Sequence, residues 1–490
     1  MRPLIEEFDH DLSPEGLAAC IEGMDCPILL RSCGSASGQN RHSFLAAFPM
    51  LNFVSHGARC EWKGADAEGC VVQFGNPWQL LRARISRYEL LNEPDASFPT
   101  GGCFGFWGYD LGKFVEPRVP RTALNDLEFA DCRVGFYPSL LVWDHALSRA
   151  WIVATGLQLD GTRCDRAAFR QRDKWREILG AGSDSPLVSP MTNLIRPAKG
   201  SSVSLPDAAF LRAVHHALGY IRMGDIYQVN LSRRWSMESS VHPFELFNKL
   251  FQISPAPFSA FQRWDDGAIV SSSPEQFLQI SGDHIVSRPI KGTRPRSLDS
   301  DEDARLSYEL QASEKERAEL VMITDLLRND LGRVCEHGSV NVPELLRLEK
   351  FTHVHHLVST VAGRLRRGTT HLDALAACFP GGSITGAPKI RAMQIIDELE
   401  PVSRGPYTGS LGYVGFNRES QWNILIRSAF LQGGRVHYHA GAGIVADSLP
   451  EAELEETVVK ARAFFQAVDR SSCSDHATPR GIPTTPFADR

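Results

Sequence analysis

Two pairs of glutamates stand three residues apart: Glu316 and Glu319 in SEKERAELVMITDLL, and Glu453 and Glu456 in PEAELEETVVKARA. On a helix this spacing puts both carboxylates of a pair on one face. Like charges so placed repel unless a cation lies between them. Two such faces opposed would make an all-oxygen site suited to Mg2+, a hard cation that takes carboxylate and substrate oxygens. The alternative is two solvated helix faces. Lys291, in SRPIKGTRPR, is closely flanked by Arg288, Arg294 and Arg296. It reads either as part of a solvated basic loop or as a reactive amine held against a turn. Lys460, one turn after Glu456, either pairs with that glutamate or reaches a bound carboxylate. Glu275 follows Ser-Pro at a strand end and would serve as a general acid if buried.

Arg427 lies in WNILIRSAFL, which reads as one strand apolar on both faces, so burial of its guanidinium is expected. A buried guanidinium needs an anion, supplied by a structural carboxylate or by a substrate. FPGGSITGAPKIRAM carries Gly381 and Gly386 at phosphate-loop separation. Ala387 and Pro388 replace the required Lys-Ser/Thr pair, which excludes a nucleotide P-loop. What remains is a glycine-rich turn entering a helix at Pro388, with free N–H groups facing an anion. Gly441 and Gly443 in HAGAGIV would let backbone approach a ligand closely. His356 has no cysteine or further histidine at zinc-binding spacing and reads as packed or solvated. These residues together suggest an α/β enzyme using a divalent metal and a small anionic substrate.

The elements that must carry them are legible in outline. Residues 1–182 read as one region, with strands in CPILLRSC and GFYPSLLVWD and a closing helix, DRAAFRQRDKWREILGAG. Residues 183–205, rich in Ser and Pro, read as a linker. Residues 206–467 hold the strong signals: a helix closing at Gly224, strands through DIYQVNLSRRW, GAIVSSSPEQFLQI and DHIVSRPI, and one helical stretch from Asp301 to Leu331. Strands in YTGSLGYVGF, WNILIRSAFL and RVHYHAGAGIV follow, and then a last helix. Residues 468–490 lack an apolar face and read as a disordered tail.

The bulk composition excludes several classes. With 490 residues, 43% hydrophobic, 22% charged and a net charge of -6, the chain has a globular balance. The acidic balance gives no reason to expect nucleic acid. No run of eighteen apolar residues suggests a membrane span, and the acidic N-terminus is unlike a signal peptide. Eleven scattered cysteines without CxxC spacing point to reduced thiols and a cytosolic (cytoplasmic) protein.

The motifs, taken in order, resemble the chorismate-utilising enzymes. The stretches are GDIYQVNLS, SPEQFL, PIKGTRPR, ERAELVMITDLLRNDLGRV, VHHLVSTVAGRL, FPGGSITGAPKIRAMQIIDELEP, RGPYTGSLGYVGF, AGAGIVADS and EAELEETVVKARA. They cover residues 206–467 densely, and GGCFGFWGYDL extends a weaker match into the first half. The resemblance implies an α/β (α+β) sandwich of the anthranilate-synthase type, two packed antiparallel sheets covered by helices. It implies Glu319 and Glu456 as Mg2+ ligands, with Glu316 and Glu453 beside them directly or through water. It further implies substrate contacts from Tyr407, Arg427, Gly441, Gly443, Lys460 and Ser383. His356 would lie near the ring and the departing group, and Glu275 would protonate the C4 hydroxyl.

Within the family, PIKGT resembles the aminodeoxychorismate synthase component I subgroup, whereas anthranilate synthases as a rule carry alanine at the lysine position. The implied reaction is chorismate plus ammonia to 4-amino-4-deoxychorismate through an adduct on Lys291, towards 4-aminobenzoate and folate. An attacking amine must be uncharged, which burial and the flanking arginines would favour. Thr293 follows in the same motif. Gln228 stands where water-adding relatives carry a lysine base, and a glutamine cannot deprotonate water. The chain has no Gly-x-Cys-x-Gly nucleophile turn, so ammonia is expected from a separate glutamine amidotransferase subunit or from solution. A further enzyme would release 4-aminobenzoate. The segment LLRSCGSASGQNRHSFL, with Ser32, resembles the region where relatives hold tryptophan. Two alternatives are an anthranilate synthase component and a non-catalytic regulatory subunit that binds tryptophan or an amidotransferase.

Overall fold

The computed structural model describes residues 2–8, 12–33, 41–65, 69–90, 96–182, 201–350 and 354–469. Runs of apolar and β-branched residues build two antiparallel sheets, each of 12 strands among the described residues. Both halves of the chain contribute to both sheets. In the first, Ile28–Arg31 pairs with Phe258–Trp264. In the second, Gly102–Trp107 pairs with Ser410–Gly415. The sheets face each other across a core that includes Phe104, Phe106, Phe44, Ile269, Phe430 and Leu425. Each such side chain contributes roughly 1.5–3 kcal/mol by leaving water.

Helices cover the outer faces. Pro450–Asp469 and Pro243–Ile253 lie over the first sheet, and Glu314–Gly332 lies over the strand Val354–Arg364 of the second. Two local expectations are corrected. The helical stretch from Asp301 to Leu331 is two helices, Ser300–Ala312 and Glu314–Gly332. Ser313 is extended between them, and its hydroxyl accepts a hydrogen bond from the Glu316 N–H. A Ser three residues before a Glu is a helix-start signal strong enough to break the run.

WNILIRSAFL is likewise two strands, Glu419–Asn423 in the second sheet and Ser428–Gln432 in the first. The chain crosses between sheets at residues 424–427. Arg427, at the crossing, has φ 52 and is half-buried rather than buried. Of the segment expected as a linker, residues 183–200 lie outside the described residues. Within 201–205, Ser202–Val203 pairs with the strand Gln228–Glu238. The last helix continues to Asp469, and the remainder of the expected tail, 470–490, lies outside the described residues.

Candidate active site

Lys291 sits on the edge strand Ile290–Pro295, which pairs with Val354–Arg364. The register shifts between Lys291 and Thr293, and Gly292 between them has φ 69. That is a bulge, a device that re-aims a side chain and that a glycine accommodates at positive φ. A Cβ on Gly292 would lie 2.5 Å from Leu310 and 3.2 Å from the Glu316 carboxylate. Lys291 Nζ lies 3.6 Å from Glu319 Oε2, and both side chains are largely buried. The solvated-loop alternative is therefore set aside. The flanking arginines are each beside a carboxylate: Arg288 with Glu349, Arg296 with Asp303, and Arg294 3.9 Å from Glu316. The charge of each flanking arginine is thus offset by a carboxylate of its own.

Opposite the lysine are Gln228 and Gly443, on the paired strands Gln228–Glu238 and Arg435–Ile444. A Cβ on Gly443 would come within 2.6 Å of Gln228 Nε2 and 3.9 Å of Lys291 Nζ. The missing side chain thus leaves the room in which amide and amine meet. Gln228 is 1% exposed, and its Oε1 has no hydrogen-bond partner. Lys460 donates to the Gly441 carbonyl at 2.9 Å and pairs with Glu456 at 2.6 Å. Glu275 is buried, and its carboxylate is hydrogen-bonded to Ser383, on the short turn Gly382–Ile384. Burial pushes the Glu275 carboxyl above its usual range, against the Ser383 bond and the charges of Lys291 and Lys460.

The two acidic helices approach each other, with Lys315 of one 3.8 Å from Glu453 of the other. Burial, then the Glu319 charge, raises the Glu316 carboxyl. Burial, then Glu456 and Glu319, raises that of Glu453 against a Ser448 hydrogen bond and the Lys315 charge. Partial burial acts the same way on Glu456, but Lys460, Lys291 and Lys315 outweigh it and hold the group low. Glu453 Oε1 accepts from Ser448 at 2.6 Å, while its buried Oε2 has no partner. An orphaned, buried carboxylate oxygen is a donor of the kind a hard divalent cation takes. Among the described residues the carboxylates do not converge as a ready cluster of three or more ligands.

His356 lies across from Thr293, whose hydroxyl is 3.0 Å from His356 Nδ1. Burial lowers the His356 pKa, and Arg427 nearby adds to that. Tyr407 is placed differently from the rest. Its ring is buried and stacked on His439, with centroids 4.6 Å apart. Its link to the site runs through Arg404, which donates to the Ile384 carbonyl at 2.9 Å, beside Ser383. Arg404 also binds Glu400 through two nitrogens. Sequence reasoning missed this pair and missed Lys315, 3.8 Å from Glu453. The i,i+4 spacing of Glu400 and Arg404 was the available signal, but it is shared by many surface pairs. Ser32 lines a separate cavity with Arg31, His42, Phe44, Phe258 and Asn423. All described cysteines are free, and no described helix is long and apolar enough to cross a membrane.

Residues 50–466 match the family described as chorismate binding enzyme. The chain is 39% identical to the aminodeoxychorismate synthase component 1 of Bacillus subtilis over 396 residues, covering 80% of this chain and 82% of that one. It is 36% identical to the anthranilate synthase component 1 of Acetivibrio thermocellus over 477 residues, covering 96% and 95%. The crystal structure of anthranilate synthase component I from Streptococcus pneumoniae superposes with a TM-score of 0.75 at 29% identity, covering 89% of this chain and 93% of that one. The chain belongs to the chorismate binding enzyme family and has the anthranilate-synthase-type fold. It is a chorismate-utilising enzyme, with aminodeoxychorismate synthases and anthranilate synthases among its relatives at similar identity.

Proposed function

We propose that the chain is the chorismate-aminating component of an aminodeoxychorismate synthase. The reading is carried by one observation, the Lys291 amine aimed by the Gly292 bulge towards Gln228, Gly443 and Glu319. The uncharged amine attacks C2 of chorismate, both ring double bonds shift by one position (C1=C2 to C1=C6, C5=C6 to C4=C5), and the C4 hydroxyl leaves as water with a proton from Glu275. Burial keeps that carboxyl protonated further up the pH scale than a solvated one, as a general acid requires. Ammonia then bonds to C4, the electrons return, and the lysine is expelled as the leaving amine. One difficult displacement becomes two easier ones.

Gln228 borders the approach to C4 without a basic group, so ammonia, which needs no deprotonation before attack, is the nucleophile it suits. Ser383 holds Glu275. Lys460, Arg427 and the Gly441 and Gly443 backbone bind the substrate carboxylates, His356 and Thr293 support the ring side, and Tyr407, buried against His439, acts on the site only through Arg404. Glu319 and Glu456, with Glu316 and Glu453 beside them, are the residues that would hold Mg2+, which would supply Lewis-acid polarisation of a substrate carboxylate. Ammonia comes from a glutamine amidotransferase partner, in keeping with relatives named as component 1.

The test is product identity. Purified protein incubated with chorismate, Mg2+ and ammonium is expected to yield 4-aminobenzoate only after aminodeoxychorismate lyase is added. Fluorescent anthranilate appearing without the lyase would overturn the assignment in favour of an anthranilate synthase component.

A further inference from the structure

Lys315 stands in the first turn of the 19-residue helix Glu314–Gly332. A cation there faces the positive end of the helix dipole, an unfavourable position. What offsets it lies on another element. Lys315 Nζ reaches across to Glu453 Oε1 of the helix Pro450–Asp469, 3.8 Å away, and its charge is also felt by Glu316 and Glu456. Glu453 is 3% exposed, and its Oε2 has no hydrogen-bond partner, so Lys315 is the cation nearest a buried carboxyl group that is only half satisfied. Lys315 itself is 52% exposed, so its long stem can withdraw into water at little cost.

We propose that Lys315 is a resident counter-cation of the acidic cluster, bridging the two helices before a divalent ion arrives and giving way to it on binding. It sets the affinity for the ion without ligating it. This rests on the metal role given above to Glu319 and Glu456. A lysine suits the task because its ammonium is a compact point charge on a flexible stem with no fixed geometry to break. Its presence makes the metal displace one positive charge from a field of carboxylates. Removing it should tighten binding about 3- to 10-fold, the effect of one partly screened charge at this range.

The experiment is calorimetric titration of the full chain with Mg2+ alone, comparing wild type, Lys315→Met, Lys315→Arg and Glu456→Gln. Thermal midpoints are recorded in chelator and in Mg2+. Expected are tighter binding by Lys315→Met, wild-type affinity in Lys315→Arg, and weaker binding by Glu456→Gln. The Lys315→Met midpoint should fall in chelator and recover with Mg2+. Unchanged or weaker binding by Lys315→Met, while Glu456→Gln loses affinity, overturns the counter-cation role alone. A wild type that takes up no Mg2+, or a Glu456→Gln variant indistinguishable from it, overturns the metal role and this inference with it.

Discussion

Lys291 and Glu275 divide the proposed chemistry between an attacking amine and a donated proton, and each can be removed separately. Lys291→Ala should lower 4-amino-4-deoxychorismate formation by about 10³-fold or more, as loss of a covalent nucleophile does. Steady-state assay coupled to the lyase reads it; a rate within a few-fold of wild type would contradict the role. Glu275→Gln keeps a hydrogen-bonding group for Ser383 but has no proton to give, and kcat should fall about 10²–10⁴-fold. Because burial raises this carboxyl, wild-type turnover should persist above the pH at which a solvated glutamate has ionised, then decline as Glu275 loses its proton. Glu275→Gln should lack that decline; a limb that survives the substitution belongs to another group. Type and spacing left these residues open, Lys291 as solvated loop or reactive amine and Glu275 as an acid only if buried, and it was the family resemblance that gave them roles. Lys315 was not legible, since a lysine beside glutamates at a helix start looks the same whether it bridges to a second helix or points into water. Nor was Arg404, whose meaning comes from the Ile384 carbonyl that folding brings to it.

At the scale of elements, the bulge on Ile290–Pro295 decides where the amine points. Gly292→Ala puts a Cβ into contact with Leu310 at a positive φ that alanine disfavours. A destabilisation of about 1–3 kcal/mol is expected, with kcat reduced as well because the strand must shift to relieve the clash. Denaturant melts and kinetics measure both. An alanine variant with wild-type stability and turnover would show that the bulge is not what aims Lys291. Most elements were readable from periodicity, including Asp165–Gly182 and the strand that begins at Gln228. Two breaks were not. Ser313 interrupts what looked like one helix because its hydroxyl caps the next. The Ile424–Arg427 crossing interrupts an apolar run that reads as continuous, because Ile424 and Leu425 stay buried as the chain passes from one sheet to the other.

For the molecule as a whole, strand neighbours far apart in sequence interleave the two halves, an arrangement that no local pattern encodes. The family resemblance implied two packed sheets; periodicity alone did not. The same packing buries histidines in neutral form. Burial lowers His371, held by Ser420 and the Gly282 carbonyl, to about 4, and His437 also to about 4. Unfolded, each returns to its ordinary value of 6.5. Between these values the unfolded chain binds more protons than the folded one, so stability falls as pH drops from about 6.5 towards 4. At full effect each group contributes on the order of 3 kcal/mol. Thermal melts from pH 7 to 5 should show a falling midpoint that His371→Gln partly flattens; a midpoint flat across that range would contradict the burial of neutral imidazoles.

The central claim is a covalent bond between one lysine and the substrate ring. Intact-protein mass spectrometry of the chain quenched after mixing with chorismate and Mg2+, without ammonium, tests it most directly. The account predicts a mass increase of one chorismate less one water, mapped by peptide digestion to Lys291 and discharged when ammonium is added. A protein that turns chorismate over with ammonium yet never carries that adduct, or carries it on another residue, would contradict it.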